Sequence, residues 1–387
     1  MNAAYTTGWR WACGTRGGGA VIRGLAALAI LGATACIDDA APSEPDTGSS
    51  SDSLAGAPKP GIMPFSALAL QNGWSNAPFG TRNAGAFFDP SSGITHFSGA
   101  VAGGMSAVIF TLPNLFWPSV ETFIPVDLCG AANGRLIIQT NGVVSVQAEG
   151  AFSNAQCFTS LEGATYASTT AGFSGLTLQN GWTNDPPVTS IAVFGSLGGA
   201  IRFKGAISSG TNPVTFTLPA GFRPATNAYV PVDLCNATNG RLFIQPSGVA
   251  TVQAENGTFS NAQCFTSLDG AWFLPNASGT TALTPQNGWT GAPFGTAAPA
   301  VKNIGGIVHF EGAIAGGTSG FAFMLPAGLA PTSNVYAPVD LCNATKGRLF
   351  IQPSGMVSVQ AENGTFSNAQ CFTSLEGASY SIAGFVP

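Results

Sequence analysis

Charge is scarce in this 387-residue chain, in which Asp, Glu, Lys and Arg together make up 8% of the residues. Thirteen basic residues stand against eighteen acidic ones, and no basic run follows the first 35 residues. That excludes the electrostatic footprint of a nucleic-acid binder. Histidine is rarer still: His96 and His309 are the whole supply. No histidine-based metal cluster within one domain is therefore available, and the chain has no C-x-x-C, phosphate-binding glycine loop, serine elbow or HExxH. No cofactor and no metal are expected. Sustained helical patterning is missing too, since no window keeps an apolar stripe over three turns.

What the chain has in abundance is repetition. "QNGW" recurs at Gln71, Gln179 and Gln286, followed each time by a strand-like piece ("HFSGA", "RFKGA", "HFEGA"), then "PVDLC", and finally "NAQCFTSL". The spacing of about 107 residues is too long for a solenoid unit and suits an independent small domain. Short apolar pieces rich in Val, Ile, Phe and Thr, separated by Gly, Pro and Asn turns, make each unit all-β. The expected organisation is three tandem β-sandwich, jelly-roll-like repeats over residues 63–170, 171–278 and 279–387.

One segment can be worked through residue by residue. In "GRLFIQPSGVATVQ", Arg241 to Gln245 forms a strand, Pro246, Ser247 and Gly248 a three-residue loop, and Val249 onward the return. This register sets Ile244 opposite Ala250, Leu242 opposite Val252, and Arg241 opposite Gln253 with Glu255 diagonally beside it. A slip of one residue would turn every apolar side chain outward. Copies one and three fit the same pattern, with Leu136, Ile138, Val144 and Val146, and with Leu349, Ile351, Val357 and Val359, facing inward.

Six cysteines flank these hairpins as Cys129 with Cys157, Cys235 with Cys264, and Cys342 with Cys371. One pair per repeat in an exported chain predicts one intradomain disulfide each.

The same repeats keep a charged set: Asp127, Arg135 and Glu149; Asp233, Arg241 and Glu255; Asp340, Arg348 and Glu362. Paired carboxylates beside an arginine suit a glycosidase. The cross-strand register offers a structural ion pair within each repeat instead, and no catalytic residue is assigned. His96 and His309 occupy equivalent places, but the second copy has Arg202 there, which predicts solvent-facing strand positions rather than a general base. Trp74, Trp182 and Trp289 have two readings: each plugs the end of a sandwich, or each is a platform for a sugar ring and the chain's ligand-binding residue. Phe79 and Phe294 follow an "APFG" piece in copies one and three, where copy two has "DPPV". Asn236, Asn256 and Asn343, within N-x-S/T matches, read as turn residues.

The beginning of the chain addresses export. Arg10, Arg16 and Arg23 precede the apolar run Leu25 to Ala35, the layout of a signal peptide over residues 1–35. Cys36 follows at once, which resembles the lipobox of bacterial lipoproteins, although Ala33 stands where that pattern prefers Leu. Residues 36–62, acidic and rich in Pro, Ser, Gly and Ala, are expected to form a disordered tether. The implied placement is an outer-membrane or cell-surface lipoprotein of a Gram-negative bacterium, anchored through lipidated Cys36; secretion or a periplasmic location is the alternative.

"GIVHFEGAI", "TLPAGFRP" and "GRLFIQPSGVATVQ" together resemble the C-terminal head domains of phage tail fibres and of collagen-like bacterial surface proteins. In that resemblance Trp182 fits the opening tryptophan, Arg202 to Ile207 the strand after it, and Leu218 to Pro224 the edge turn. It implies small β-heads, often trimeric, that bind surface glycans or cap a fibre, and it carries no catalytic residues. Three heads on one chain predict either an intramolecular pseudo-trimer or a homotrimer. The function expected is a non-catalytic, multivalent binding or adhesion module that contacts a surface glycan or another envelope protein. A purely structural surface protein and a carbohydrate-active enzyme are the alternatives.

Overall fold

The computed structural model describes residues 65–185 and 189–382. The signal-peptide, Cys36 and tether readings lie outside these residues. Within them the chain is all-β, built from three repeated antiparallel units with one disulfide in each.

In the first repeat one sheet orders Ser66–Ala67, Gly85–Asp89, Ile94–Ser98 and Thr165–Ala167; a second orders Val108–Thr111, Val143–Ala148, Asn133–Ile138 and Thr122–Asp127. A small third sheet joins Thr159–Ser160, Ala100–Ala102 and Ser75–Asn76. The other repeats copy this plan. Alternating residues of both large sheets make one core per repeat, holding Phe97, Ile109, Phe110, Leu136, Ile138 and Val144 in the first copy. Strands with one buried face need this period of two.

The hairpin register is as expected: Ile244 opposes Ala250, Leu242 opposes Val252 and Arg241 opposes Gln253, with the same pairing in the flanking copies. Gly248 has φ 89°, a left-handed value that the three-residue loop requires and that glycine adopts without steric cost.

The sequence reading missed a short helix in each repeat, Phe152–Cys157, Phe259–Cys264 and Phe366–Cys371. One and a half turns are too short to show a helical stripe. Each ends on the second cysteine, while the first cysteine opens a tight turn, so the pairs stand 5.6 to 5.7 Å apart between Cα atoms. Closing a loop of this length removes about 3.6 kcal/mol of unfolded-state freedom in the chain-entropy model. The residue after the first cysteine has positive φ in every copy, as Gly130, Asn236 and Asn343, which places both asparagines in turns.

The three repeats close on one another as a ring. Ser267 Oγ donates to the Phe123 carbonyl, Ser374 Oγ to that of Tyr229, and Ser160 Oγ to that of Tyr336, so the third repeat returns to the first. Among the described residues no helix is long and apolar enough to cross a membrane.

Candidate binding clefts at the repeat junctions

The charged set does not pair inside each repeat. Arg135 Nη1 lies 2.8 Å from Asp233, Arg241 Nη1 2.9 Å from Asp340, and Arg348 Nη1 3.0 Å from Asp127. Each arginine reaches into the next repeat, and the last returns to the first. The expected partners Glu149, Glu255 and Glu362 are displaced because the strand ends before them and each arginine Nε is taken by a cross-strand Gln147, Gln253 or Gln360. Planar guanidinium groups suit such sites, since they can serve two acceptors and an aromatic face together. Arg241 does so: it sits 4.9 Å from the Tyr229 ring and 5.7 Å from that of Phe372, and Arg348 lies over Tyr336 and Phe158 in the same way.

Asp127, Asp233 and Asp340 are completely buried. Burial pushes Asp233 up to about 7 and Asp340 up to about 6 against the pull of the facing arginine. Enclosed and engaged with arginine, these carboxylates present no surface to a substrate, which removes them as a glycosidase acid and base. The glutamates gather at one end of the ring. Burial and mutual repulsion raise Glu149 to about 8 and Glu255 to about 7, and Glu362 is raised by burial. A buried Lys346, at the position of Asn133 and Asn239, faces them with its own pKa lowered to about 8 by burial. No group of three metal-ligating side chains suits a cation among the described residues.

The tryptophans are core residues in this structure. Trp74, Trp182 and Trp289 are 6%, 4% and 4% exposed, and each indole Nε1 donates to a backbone carbonyl, of Ser106, Asn212 and Ser319. Gly104, Gly210 and Gly317 lie so close that a Cβ there would stand 2.0 Å from the indole Cε2. With the rings enclosed, a sugar has no indole face to stack on. The histidine expectation also needs correction. His96, Arg202 and His309 are 5%, 5% and 2% exposed rather than solvent-facing, because the three strands that carry them meet around one cavity.

Exposed aromatic surface lies elsewhere. Phe79 and Phe294 are 60% and 62% exposed, at φ 55° and 53°, and the alanine two residues earlier is also left-handed in both. Non-glycine residues in this region cost about 1 to 3 kcal/mol each and persist only where surroundings hold them. The neighbouring repeat supplies the hold: Asn334 Nδ2 donates to the Phe79 carbonyl at 2.9 Å and Asn227 Nδ2 to that of Phe294 at 2.8 Å. At the corresponding places, copy two has Pro187 for the phenylalanine and copy one has Glu121 for the asparagine. Phenylalanine and clamp are thus present together or absent together.

Each phenylalanine edges a cleft between two repeats. Phe79, Phe158, Tyr336, Arg348 and the Cys129 turn line one of about 170 Å³; Phe294, Phe372, Tyr229, Arg241 and the Cys342 turn line the other, of about 220 Å³. Phe79 meets Phe158 edge-on at 5.6 Å, and Phe158 meets Tyr336 at 4.9 Å. Phe294, Phe372 and Tyr229 repeat this geometry at 5.7 and 4.9 Å. On the far side of Arg241 a wider hollow of about 640 Å³ runs past Gln253, Asn256 and Phe259. The repeated "APFG" was the sequence signal for these clefts; the tyrosine and arginine of each wall come from the adjoining repeat, and no local pattern marks that approach.

No family model matches the chain. Comparison with curated proteins and with solved structures finds no match either. The likeness to tail-fibre heads therefore rests on the sequence motifs alone.

Proposed function

We propose that the chain is an exported, surface-displayed recognition module that binds glycan chains at its two aromatic clefts, without catalysis. The observation that carries this reading is the pair of exposed phenylalanines held at positive φ, each beside a tyrosine, a second phenylalanine and an arginine from two repeats. Aromatic faces cover the apolar side of a pyranose, and the cleft edge offers polar groups for its hydroxyls. Two clefts on one ring give weak sites a high effective concentration. Lipidation of Cys36 and the flexible tether would hold the ring away from an outer membrane, and the tail-fibre-like motifs agree with a small jelly-roll head that meets a surface glycan.

Binding of the full-length protein to a glycan array tests the reading. Phe79→Ala with Phe294→Ala should abolish the array signal while leaving the thermal unfolding profile cooperative, and each single variant should lower avidity by about 10- to 100-fold. Retained binding in the double variant would refute the cleft assignment. A second reading, a structural surface protein without a small ligand, is favoured by the enclosed tryptophans. An array without signal for the wild type would favour it.

A further inference from the structure

His96, Arg202 and His309 line one cavity of about 250 Å³. Each is the third residue of its strand, in Ile94–Ser98, Ala200–Lys204 and Ile307–Glu311, so the three repeats contribute one nitrogen-bearing side chain apiece. All three are more than nine-tenths buried, and each leaves a nitrogen without a partner among the described residues: His96 Nδ1, Arg202 Nε and His309 Nε2. Buried polar atoms are ordinarily satisfied, and three unsatisfied ones on side chains that line the same space indicate something that satisfies them. A cation is disfavoured, because Arg202 lines the cavity and these groups do not form a metal set.

The proton positions narrow the ligand further. His309 Nδ1 lies 3.2 Å from the Ile307 carbonyl, which places a proton on Nδ1 and leaves a lone pair on Nε2. Arg202 Nη1 is fixed by Thr165 Oγ1 at 3.2 Å, and its guanidinium lies 5.8 Å from the Trp272 ring, which in turn meets His309 edge-on at 4.7 Å. Arg202 and His309 are therefore braced before any ligand arrives.

We propose that this cavity binds a hydrogen-phosphate-type oxyanion, with Arg202 Nε and His96 Nδ1 donating to its oxygens and His309 Nε2 accepting from its P–OH. The charged neighbours are Asp89, at the mouth, and Lys302, which acts on His309. Burial opposes the charge on Asp89, but the Ser91 and Ser92 hydroxyls donate to its carboxylate at 2.7 and 2.5 Å and lower its pKa on balance, so Asp89 stays ionised and works against a bound anion. Burial holds both histidines neutral, with His96 lowered to about 3. Sulfate has no proton to offer at neutral pH, so it binds only when His309 takes up a proton from solvent.

The two histidines give the test a direct readout. Imidazole ¹H–¹⁵N spectra of the full-length protein would be followed at pH 7.5 during titration with inorganic phosphate, a sugar phosphate or sulfate. The proposal expects saturable movement of both histidine signals with phosphate, and weaker binding of sulfate that strengthens as pH falls. Compared at pH 6, where both keep a substantial share of P–OH, tighter binding of the sugar phosphate would assign the site to a phosphoryl group on a larger molecule; tighter binding of inorganic phosphate would assign it to the free ion. Asp89→Asn should tighten phosphate by up to about fivefold, and His96→Gln should weaken it. No saturable movement into tens of millimolar, saturation with both histidine signals unmoved, or sulfate binding as tightly as phosphate at pH 7.5 would each overturn the proposal.

Discussion

Replacing Arg241 with methionine removes one junction of the ring and leaves Asp340 buried without its cation. Three contacts disappear together: Nε to Gln253 Oε1 at 2.6 Å, Nη1 to Asp340 at 2.9 Å, and Nη1 to the Leu341 carbonyl at 3.1 Å. Breaking a buried pair from one side costs about 3 to 5 kcal/mol. The deficit should depend on pH in a defined way. Burial has already raised Asp340 from 3.8 to about 6 in the intact protein, and without Arg241 it rises further. Below pH 6 the folded forms of both proteins carry the proton, so the difference between them is flat. Above pH 6 only the variant keeps it, and its relative stability falls by about 1.4 kcal/mol per pH unit. Between pH 6 and pH 8 the gap should therefore widen by about 2.3 kcal/mol, from about 1 to 2 up to about 4. Urea unfolding of the disulfide-intact proteins, followed by tryptophan fluorescence at pH 6, 7 and 8, measures it. Adding Asp340→Asn should remove the slope. A gap that stays constant from pH 6 to pH 8 would refute the assignment of the cost to the stranded carboxylate.

Folded-state pKa values of about 8 for Glu149 and Glu376 and about 7 for Glu255, each raised first by burial, predict a molecule that prefers mildly acidic conditions. A carboxyl raised from 4.5 favours folding while protonated, so this stability is full below pH 4.5 and lost as pH rises through 7 to 8; the melting temperature should be lower at pH 8.5 than at pH 5. Trp289→Ala should cost about 3 to 5 kcal/mol through the cavity it leaves. Gly317→Ala should also destabilise, since its Cβ meets the same ring, and denaturant midpoints of both variants check the pair.

The hairpins were legible because register there is a local matter: turn geometry and alternating burial specify it within fifteen residues, and Leu242, Ile244, Ala250 and Val252 lie where the pattern puts them. The disulfides followed from one cysteine pair per repeat in the same way. The ion pairs were not legible. Arg241 has a carboxylate fourteen residues away in its own copy, Glu255, but its partner is Asp340, and nothing local distinguishes an aspartate of the same repeat from that of the next. His96, Arg202 and His309 were misplaced for the same reason. A strand position whose residue varies looks solvent-facing within a single repeat, and its burial arises only when three repeats meet.

Joining three repeats in one chain gives each position at the centre of the ring its own codon. A ring of three identical subunits must place the same side chain three times at any point on its axis, and a lysine there would arrive as three like charges. Here Lys346 stands alone against three glutamates while Asn133 and Asn239 hold the other two places, each donating to the following repeat. An arginine likewise shares one cavity with two histidines. Covalent linkage thus permits an asymmetric interior behind three repeats of one plan, and the places where equivalent residues meet can take a composition that no homotrimer could encode.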